Sequence, residues 1–280
     1  MSSLRSILLH LDPSSRSSKR HAIARGLALQ HGAQVTALYA STPSALSVSF
    51  ALAEGMAEVL PMLQQLDIDY RDQAKARFDR AASGDRPAMD WRELGNEPLI
   101  PGFSVRALCA DLMILGQHDA SDPLTLGVPS DFAASVLLAS GRPALIVPYV
   151  DTGDTLGKQV LIAWKSTSES AHAVSAAIPF LQRADGIHLT MDTEGHPLGH
   201  SADGVIEYLR RHDVQAPIQQ HAPIRAQASA GEALLSLAAD VGADLLVMGC
   251  YGHSRARELV LGGATRTVLQ SMTLPVLLAH

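Results

Sequence analysis

The chain has 280 residues, of which 47% are hydrophobic and 18% charged, and its formal net charge is −6. This length predicts about two domains with full apolar cores, and an acidic chain without clustered Lys or Arg excludes a nucleic acid or an anionic membrane as the main partner. The two cysteines, Cys109 and Cys250, are too few for a disulfide framework or a thiolate zinc site.

The first half alternates short apolar runs with stretches of helical periodicity. In chain order we predict a strand at 5–11, a helix ending near 31, a strand at 33–40, a helix at 54–82, a strand at 87–94, a helix at 96–109, a strand at 111–116, a helix at 131–140 and a strand at 143–147. In the long helix, Leu63, Leu66, Tyr70 and Phe78 share one stripe, which predicts a cover for one sheet face. This alternation predicts a parallel sheet with helices on both faces.

The second half repeats the same order. QVLIAWK at 159–165 repeats SILLHLD at 6–12, DLLVMG at 244–249 repeats DLMILG at 111–116, and PVLLA at 275–279 repeats PALIV at 143–147. Between them we predict a helix at 171–181, a strand at 187–191, a helix at 205–212, a weak strand at 216–221 and a helix at 234–241. An internal duplication is therefore the main organisational feature of the chain.

The polar, glycine-containing segment 150–159 is the natural linker between the two copies. We therefore predict two modules, residues 1–150 and 151–280. The separation between matching strands falls from 153 residues at the first strands to 133 at the fourth, so the first copy is about twenty residues longer.

A glycine-rich loop follows the apolar run at 245–249. Gly249, Gly252 and Gly262 are separated by two and then nine residues, and Gly263 precedes a predicted helix. Glycines permit close backbone approach to a ligand, and the free amides of a helix N-terminus attract phosphate. The pattern predicts an anion-binding loop in the second module.

This loop resembles the C-terminal signature of the universal stress protein family, in which Gly, two residues, Gly, nine residues and Gly are followed by Ser or Thr. Here Gly263 stands at the Ser or Thr position, and Thr265 is the substitute hydroxyl in the first helical turn. The resemblance implies a tandem protein with two doubly wound α/β modules, Rossmann-like and similar to the adenine nucleotide alpha hydrolases. Each module would contain a five-stranded parallel sheet, and the fifth strands would pair with each other, which protects their apolar edges.

The resemblance further implies ATP or a related adenine nucleotide, with Mg²⁺, as the ligand. The residues assigned to this cofactor site are Lys165, Gly249, Gly252, His253, Gly262, Gly263 and Thr265. Lys165 stands where the family has an Asp after the first strand, whereas the first module keeps that residue as Asp12. The preceding Trp164 either stacks on a base or packs at the sheet edge, and both interpretations stay open.

The first module lacks the glycine pattern. Asp119 lies opposite Gly252 and Asp131 opposite Gly263 when the two halves are aligned. Carboxylates at these positions repel a phosphate, so we expect the first pocket to be closed to ATP.

Other candidate sites are weaker. His196 and His200 have the spacing of helical metal ligands, but Pro197 and Gly199 argue against a helix there, so no metal site is expected. Neither a Walker loop nor a nucleophile elbow occurs, so no enzyme is predicted, although a slow ATPase is left open. Cys109 is expected to be a small core residue, and Cys250, inside the glycine loop, is a candidate exposed thiol.

The leading hypothesis is a stress-response protein whose C-terminal half binds an adenine nucleotide as a regulatory signal. The alternative is a nucleotide-independent scaffold in which both pockets are degenerate and the partners are unknown proteins. Besides the internal pairing of the two modules, a further homodimer is left open. The N-terminus, MSSLRSILLHLDP, predicts neither a signal peptide nor a membrane span, so we expect a cytoplasmic protein.

Overall fold

The computed structural model describes residues 4–47, 56–82, 89–153, 155–191, 202–224, 230–250 and 263–280. Contacts along the chain divide it into two compact units, which we call the N-terminal unit (residues 4–140) and the C-terminal unit (residues 141–280). Within the described ranges, no helix is long and apolar enough to cross a membrane.

The N-terminal unit packs helices on a parallel sheet. Its strands are β1 (Ser6–Leu11), β2 (Gln34–Tyr39), β3 (Met89–Glu93) and β4 (Leu112–Gly116), in the order β3-β2-β1-β4. Its helices are α1 (Ser17–His31), α2 (Ser44–Ser47), α3 (Met56–Ala82), α4 (Leu99–Ala107) and α5 (Phe132–Ser140). The apolar runs of β1 and β4 are buried because helices cover both sides of a parallel sheet.

The C-terminal unit contains the second copy and one additional strand. Its strands are β5 (Ala144–Val147), β6 (Gln159–Trp164), β7 (Gly186–Met191), β8 (Ile218–Gln220), β9 (Leu245–Gly249) and β10 (Val276–Ala279), in the order β5-β10-β9-β6-β7-β8. Its helices are α6 (Ser168–Leu181), α7 (Asp203–Arg211), α8 (Ala230–Asp240) and α9 (Gly263–Ser271). Strands β6 to β10 are parallel to one another, and β5 is antiparallel to β10.

The predicted α/β fold and the predicted pairing of the fifth strands are confirmed. Leu277 of β10 lies opposite Leu145 of β5, and the neighbouring pairs are Val276 with Ile146 and Leu278 with Ala144. All six residues are buried. Because of this pairing, β5 belongs to the C-terminal compact unit, and the units divide between Ser140 and Gly141. The module boundary at residue 150 stays a prediction.

The predicted stripe of α3 is only partly correct. Phe78 is buried, with 6% of its surface exposed, and its ring meets that of His21 on α1 edge-on at 5.3 Å. Leu66 is 37% exposed and Met62 73% exposed, so the first half of the helix does not cover the sheet. That half contacts α2 instead, where Asp67 accepts hydrogen bonds from the Ser44 amide and hydroxyl.

Both cysteine predictions are wrong. Cys109 follows α4 at an exposed position rather than in the core. Cys250 is buried because it directly continues β9, and its Sγ lies 3.2 Å from the Ala279 carbonyl oxygen. Burial, aided by the charge of Glu169, raises the pKa of Cys250 above its ordinary value, so this thiol is not reactive.

Candidate functional site

In each unit, successive strands are added first toward one edge of the sheet and then toward the other edge. A crevice is expected at the carboxyl ends of the two strands between which this order reverses. In the N-terminal unit it lies between β1 and β4, and in the C-terminal unit between β6 and β9. Ligands of open α/β sheets bind at such switch points. These two crevices are therefore the candidate ligand-binding sites.

The N-terminal crevice is filled by the protein's own side chains. Asp12, directly after β1, accepts a 2.7 Å hydrogen bond from Nη2 of Arg20 and a 2.5 Å hydrogen bond from the Ser14 hydroxyl. Arg20 also donates through Nε to the His10 carbonyl, and a Cβ atom placed on Gly116 would overlap its guanidinium. Asp12 and Arg20 are 4% and 3% exposed, so neither is available to a ligand.

Burial and neighbouring charges together determine the protonation of this cluster. Burial would raise the pKa of Asp12, but Arg20, His10 and Ser14 outweigh it and hold that pKa below its ordinary value. Burial lowers the pKa of His10 from 6.5 to about 4, because the opposing effect of Asp12 is smaller. The neutral His10 ring lies against Phe103 and Phe132. The neutral His10 thus lies beside the buried ion pair of Asp12 and Arg20.

The loop after β4 carries the two acidic residues predicted to exclude phosphate. Asp119 is 4% exposed and accepts hydrogen bonds from the Ser121 amide and hydroxyl. These bonds, led by that of the hydroxyl, hold the pKa of Asp119 below its ordinary value. Asp131 precedes α5 and accepts a hydrogen bond from the Ser135 hydroxyl. That the first pocket does not take ATP stays a prediction.

The C-terminal crevice brings together two of the predicted site residues. Lys165 follows β6 and Gly249 ends β9, and the register of the two strands, with Ala163 beside Met248, places both residues at the same edge. Gly249 has a packing role as well, because a Cβ atom there would lie 2.5 Å from the Ser170 amide nitrogen. The first turn of α6 thus occupies the position that Arg20 takes in the N-terminal unit.

The first turn of α6 and its N-cap contain hydrogen-bond acceptors for the free amides of this turn. Thr167 is the N-cap of α6 and its hydroxyl accepts from the Ser170 amide. Burial would raise the pKa of Glu169, but its own backbone amide and the hydroxyls of Thr167 and Ser168 outweigh it and lower that pKa. A Cβ atom on Gly249 would also lie 3.0 Å from Cβ of Glu169, so this acidic residue is close to the end of β9.

The remaining predicted site residues are only partly described. Gly263 is exposed and begins α9, and a Cβ atom there would meet no atom within 4 Å. Thr265 is 4% exposed, so it is buried. Gly252, His253 and Gly262 lie outside the described residues, as do His196 and His200. Among the residues that are described, no three His, Cys, Asp or Glu side chains form a metal-binding group.

A cavity of about 430 Å³ opens beside the end of β6. It is lined by Trp164, Ser166, Ala171, Val174, Gly204, Val205 and Tyr208. Two aromatic rings in a mostly apolar pocket, with a polar strand end beside it, are typical of a small-molecule site. Trp164 therefore lines a cavity, which supports its interpretation as a stacking residue.

Sequence reasoning missed three residues that shape these crevices. Tyr208 has no motif around it, and only the packing of α7 against α6 brings its ring near Trp164. Arg20 and Glu169 both lie in helices. Charged residues in helices are exposed to solvent in most proteins, so no local sequence pattern indicates that these two lie at the crevices. Their proximity to the strand ends is visible only in the structure.

The C-terminal part of the chain matches a known protein family. Residues 157–280 match the model of the Universal stress protein family. A 48-residue stretch is 48% identical to universal stress protein Slr1230 of Synechocystis, although it spans only 17% of this chain and 17% of that relative.

Solved structures share the whole architecture. A universal stress protein from Archaeoglobus fulgidus superimposes with a TM-score of 0.70 at 15% identity, over 98% of this chain and 95% of that one. A functionally unknown protein from Pseudomonas aeruginosa PAO1 superimposes with a TM-score of 0.54 at 15% identity, over 99% and 92% of the two chains. At this identity the likeness shows a common fold.

Proposed function

Because residues 157–280 match the model of the Universal stress protein family, we propose that this half binds an adenine nucleotide of the ATP type, with Mg²⁺, as a regulatory signal in a stress response. The observation that carries the proposal is the 430 Å³ cavity lined by Trp164 and Tyr208, at the strand edge that also holds Lys165. An adenine base would stack on the aromatic rings. The phosphates would extend toward Lys165 and the glycine loop.

The two halves are proposed to have different roles. The crevice of the N-terminal unit is closed by Asp12 and Arg20, whereas Lys165 replaces the acidic residue in the C-terminal unit. Within one chain, the C-terminal crevice is therefore the better candidate for an anionic ligand. None of the described residues of this crevice is assigned as a catalytic base, and the proposal is limited to binding.

The test starts with native mass spectrometry of the freshly purified protein, followed by calorimetric titration with ATP and MgCl₂. We expect up to one nucleotide per chain. Lys165→Gln should weaken binding about three- to tenfold and reduce its salt dependence, because one charged hydrogen bond is lost. Lys158→Gln is the matched control, since this exposed lysine lies at the other end of β6 and pairs with Asp185. Equal affinities of the two variants would contradict the assignment of Lys165.

The base side of the site is tested separately. Trp164→Ala should weaken ATP binding about tenfold or more, while Trp164→Phe should retain most of it, because stacking on an aromatic ring contributes about 1–3 kcal/mol per base. Gly263→Ser restores the hydroxyl that the family pattern has at this position and should strengthen binding. The space beside Gly263 accommodates the added side chain.

A nucleotide-independent scaffold is the second candidate. The specific observations in its favour are the proximity of the acidic residue Glu169 to Gly249 and the buried position of Thr265. If the purified protein carries no nucleotide and gives no heat with ATP, the scaffold function replaces the nucleotide-binding one.

A further inference from the structure

The N-terminal unit contains a larger cavity beside its closed crevice. Its volume is about 660 Å³, within the range of small-molecule sites. It is bounded by the ends of β2 and β3, by α2, by the first half of α3 and by the loop after β4, and we call it the α3 cavity. The ion pair of Asp12 and Arg20 does not line it.

The walls of the α3 cavity are mainly aliphatic. The apolar side chains that line it include Leu63, Leu66, Ile68, Leu94, Leu124 and Leu126. Leu126 is 79% exposed, Ile68 42% and Leu66 37%, so these residues are not fully buried by the fold itself. An apolar ligand body would cover surface that water now contacts, which favours binding.

One wall carries a hydrogen-bond donor without a partner. Among the described residues, none accepts a hydrogen bond from the Tyr39 hydroxyl, and Tyr39 lines the cavity at the end of β2. Burial, together with Asp67, Asp12 and Glu93, raises the pKa of Tyr39 above its ordinary value. The phenol therefore stays protonated at neutral pH and can donate to a ligand, while its ring already stacks on Trp91 on one face, with the two centroids 5.7 Å apart.

The charge of this wall is negative. Asp67 and Glu93 both line the cavity, and each already accepts a hydrogen bond from a neighbour, Asp67 from Ser44 and Glu93 from the Trp91 indole. Each carboxylate has further lone pairs for a second donor. Arg71 also lines the cavity, forms an ion pair with Asp72 at 2.8 Å and interacts electrostatically with Glu93 as well. Two carboxylates and one guanidinium therefore leave the lining with a net negative charge.

We propose that the α3 cavity binds a small organic amine with an aromatic or aliphatic body. The ammonium group would bind Asp67 and Glu93 beside the face of Tyr39, where carboxylates and an aromatic ring both favour a cation. The apolar body would lie against Leu63, Leu66 and Leu124. The same carboxylates disfavour a phosphate-bearing ligand, so this site is separate from the nucleotide site proposed for the C-terminal unit and does not depend on it.

The experiment compares three probes of one shape and different charge. Tyramine, 4-hydroxyphenylethanol and 4-hydroxyphenylacetate are titrated into the full chain and followed by calorimetry and by ligand-observed NMR. We expect the amine to bind about tenfold more tightly than the alcohol and the acid not to bind, because only the amine compensates the two carboxylates. Binding of the acid at least as tight as that of the amine, or no binding of any of the three, would overturn the proposal.

Two isosteric variants locate the site. Glu93→Gln removes one lining carboxylate and leaves an oxygen that can still accept from Trp91, and it should weaken tyramine binding about three- to fivefold. Asp90→Asn removes the same charge from β3 at an exposed residue that pairs with Arg92 and does not line the cavity, and it should leave the affinity unchanged. Equal effects of the two variants would mean that tyramine binds elsewhere.

Discussion

His10 couples the stability of the N-terminal unit to pH. It is 1% exposed, its Nε2 is 2.9 Å from the Ala40 carbonyl oxygen, and burial lowers its pKa from 6.5 to about 4. The unfolded chain therefore takes up this proton at a higher pH than the folded chain. The resulting stability is complete above pH 6.5 and is lost as the pH falls toward 4. Asp12, whose pKa is lowered, adds a loss only at still lower pH.

The first prediction concerns the variant His10→Gln, which cannot titrate but can still donate to Ala40. Between pH 7 and pH 5 the wild-type chain should lose about 2 kcal/mol of unfolding free energy through His10. The variant should lack that part of the loss, as measured by urea denaturation followed by circular dichroism. His118→Gln, at an exposed position, is the control and should retain the wild-type pH dependence. An unchanged pH dependence in His10→Gln would show that His10 is not the responsible group.

The two halves of α3 differ in what holds them in place. The C-terminal half is fixed by Phe78, whose ring packs against His21 and Trp91, and by the buried Ala74. The N-terminal half has exposed apolar residues at Val59, Leu60, Met62, Leu66 and Ile68. Both halves have helical periodicity, but among the described side chains only the C-terminal half has apolar ones that are buried. The apolar stripe therefore predicts the helix correctly, but it predicts the packing of the helix only in part.

The second prediction tests this division within one helix. Phe78→Ala should lower the free energy of unfolding by about 3–5 kcal/mol, because it removes a buried ring and leaves a cavity. Met62→Ala, whose residue is 73% exposed, should change it by less than about 0.5 kcal/mol. Guanidinium denaturation measures both. Similar losses in the two variants would mean that the first half of α3 is packed as tightly as the second.

At the scale of the whole molecule, the assignment of β5 decides where the chain can be divided. β5 precedes the predicted linker, yet it pairs with β10 and belongs to the C-terminal compact unit. A fragment that starts at the predicted boundary, residue 151, would leave the apolar edge of β10 unpaired. Exposed edges of this kind promote association between chains.

The third prediction follows from that edge. A fragment of residues 151–280 should dimerise or aggregate more readily and unfold at a lower temperature than a fragment of residues 141–280, because only the longer fragment contains the strand that pairs with β10. Analytical ultracentrifugation and thermal denaturation of both fragments provide the measurement. If the shorter fragment were monomeric and equally stable, β5 would not be needed to protect β10, and residue 150 would be the better boundary.

The sequence alone predicted the order of strands and helices and the duplication, and its resemblance to the universal stress proteins implied the pairing of β5 with β10. The order and the duplication depend on periodicity and on runs such as PALIV and PVLLA, which are local and which repeat within the chain. Only the tertiary structure decided which residues reach the strand ends. Arg20 enters the N-terminal crevice, Glu169 lies beside Gly249, and Tyr208 faces the same cavity as Trp164, because helices from distant parts of the chain pack on the sheet. Burial and charge at a site depend on such packing, and no local pattern contains it.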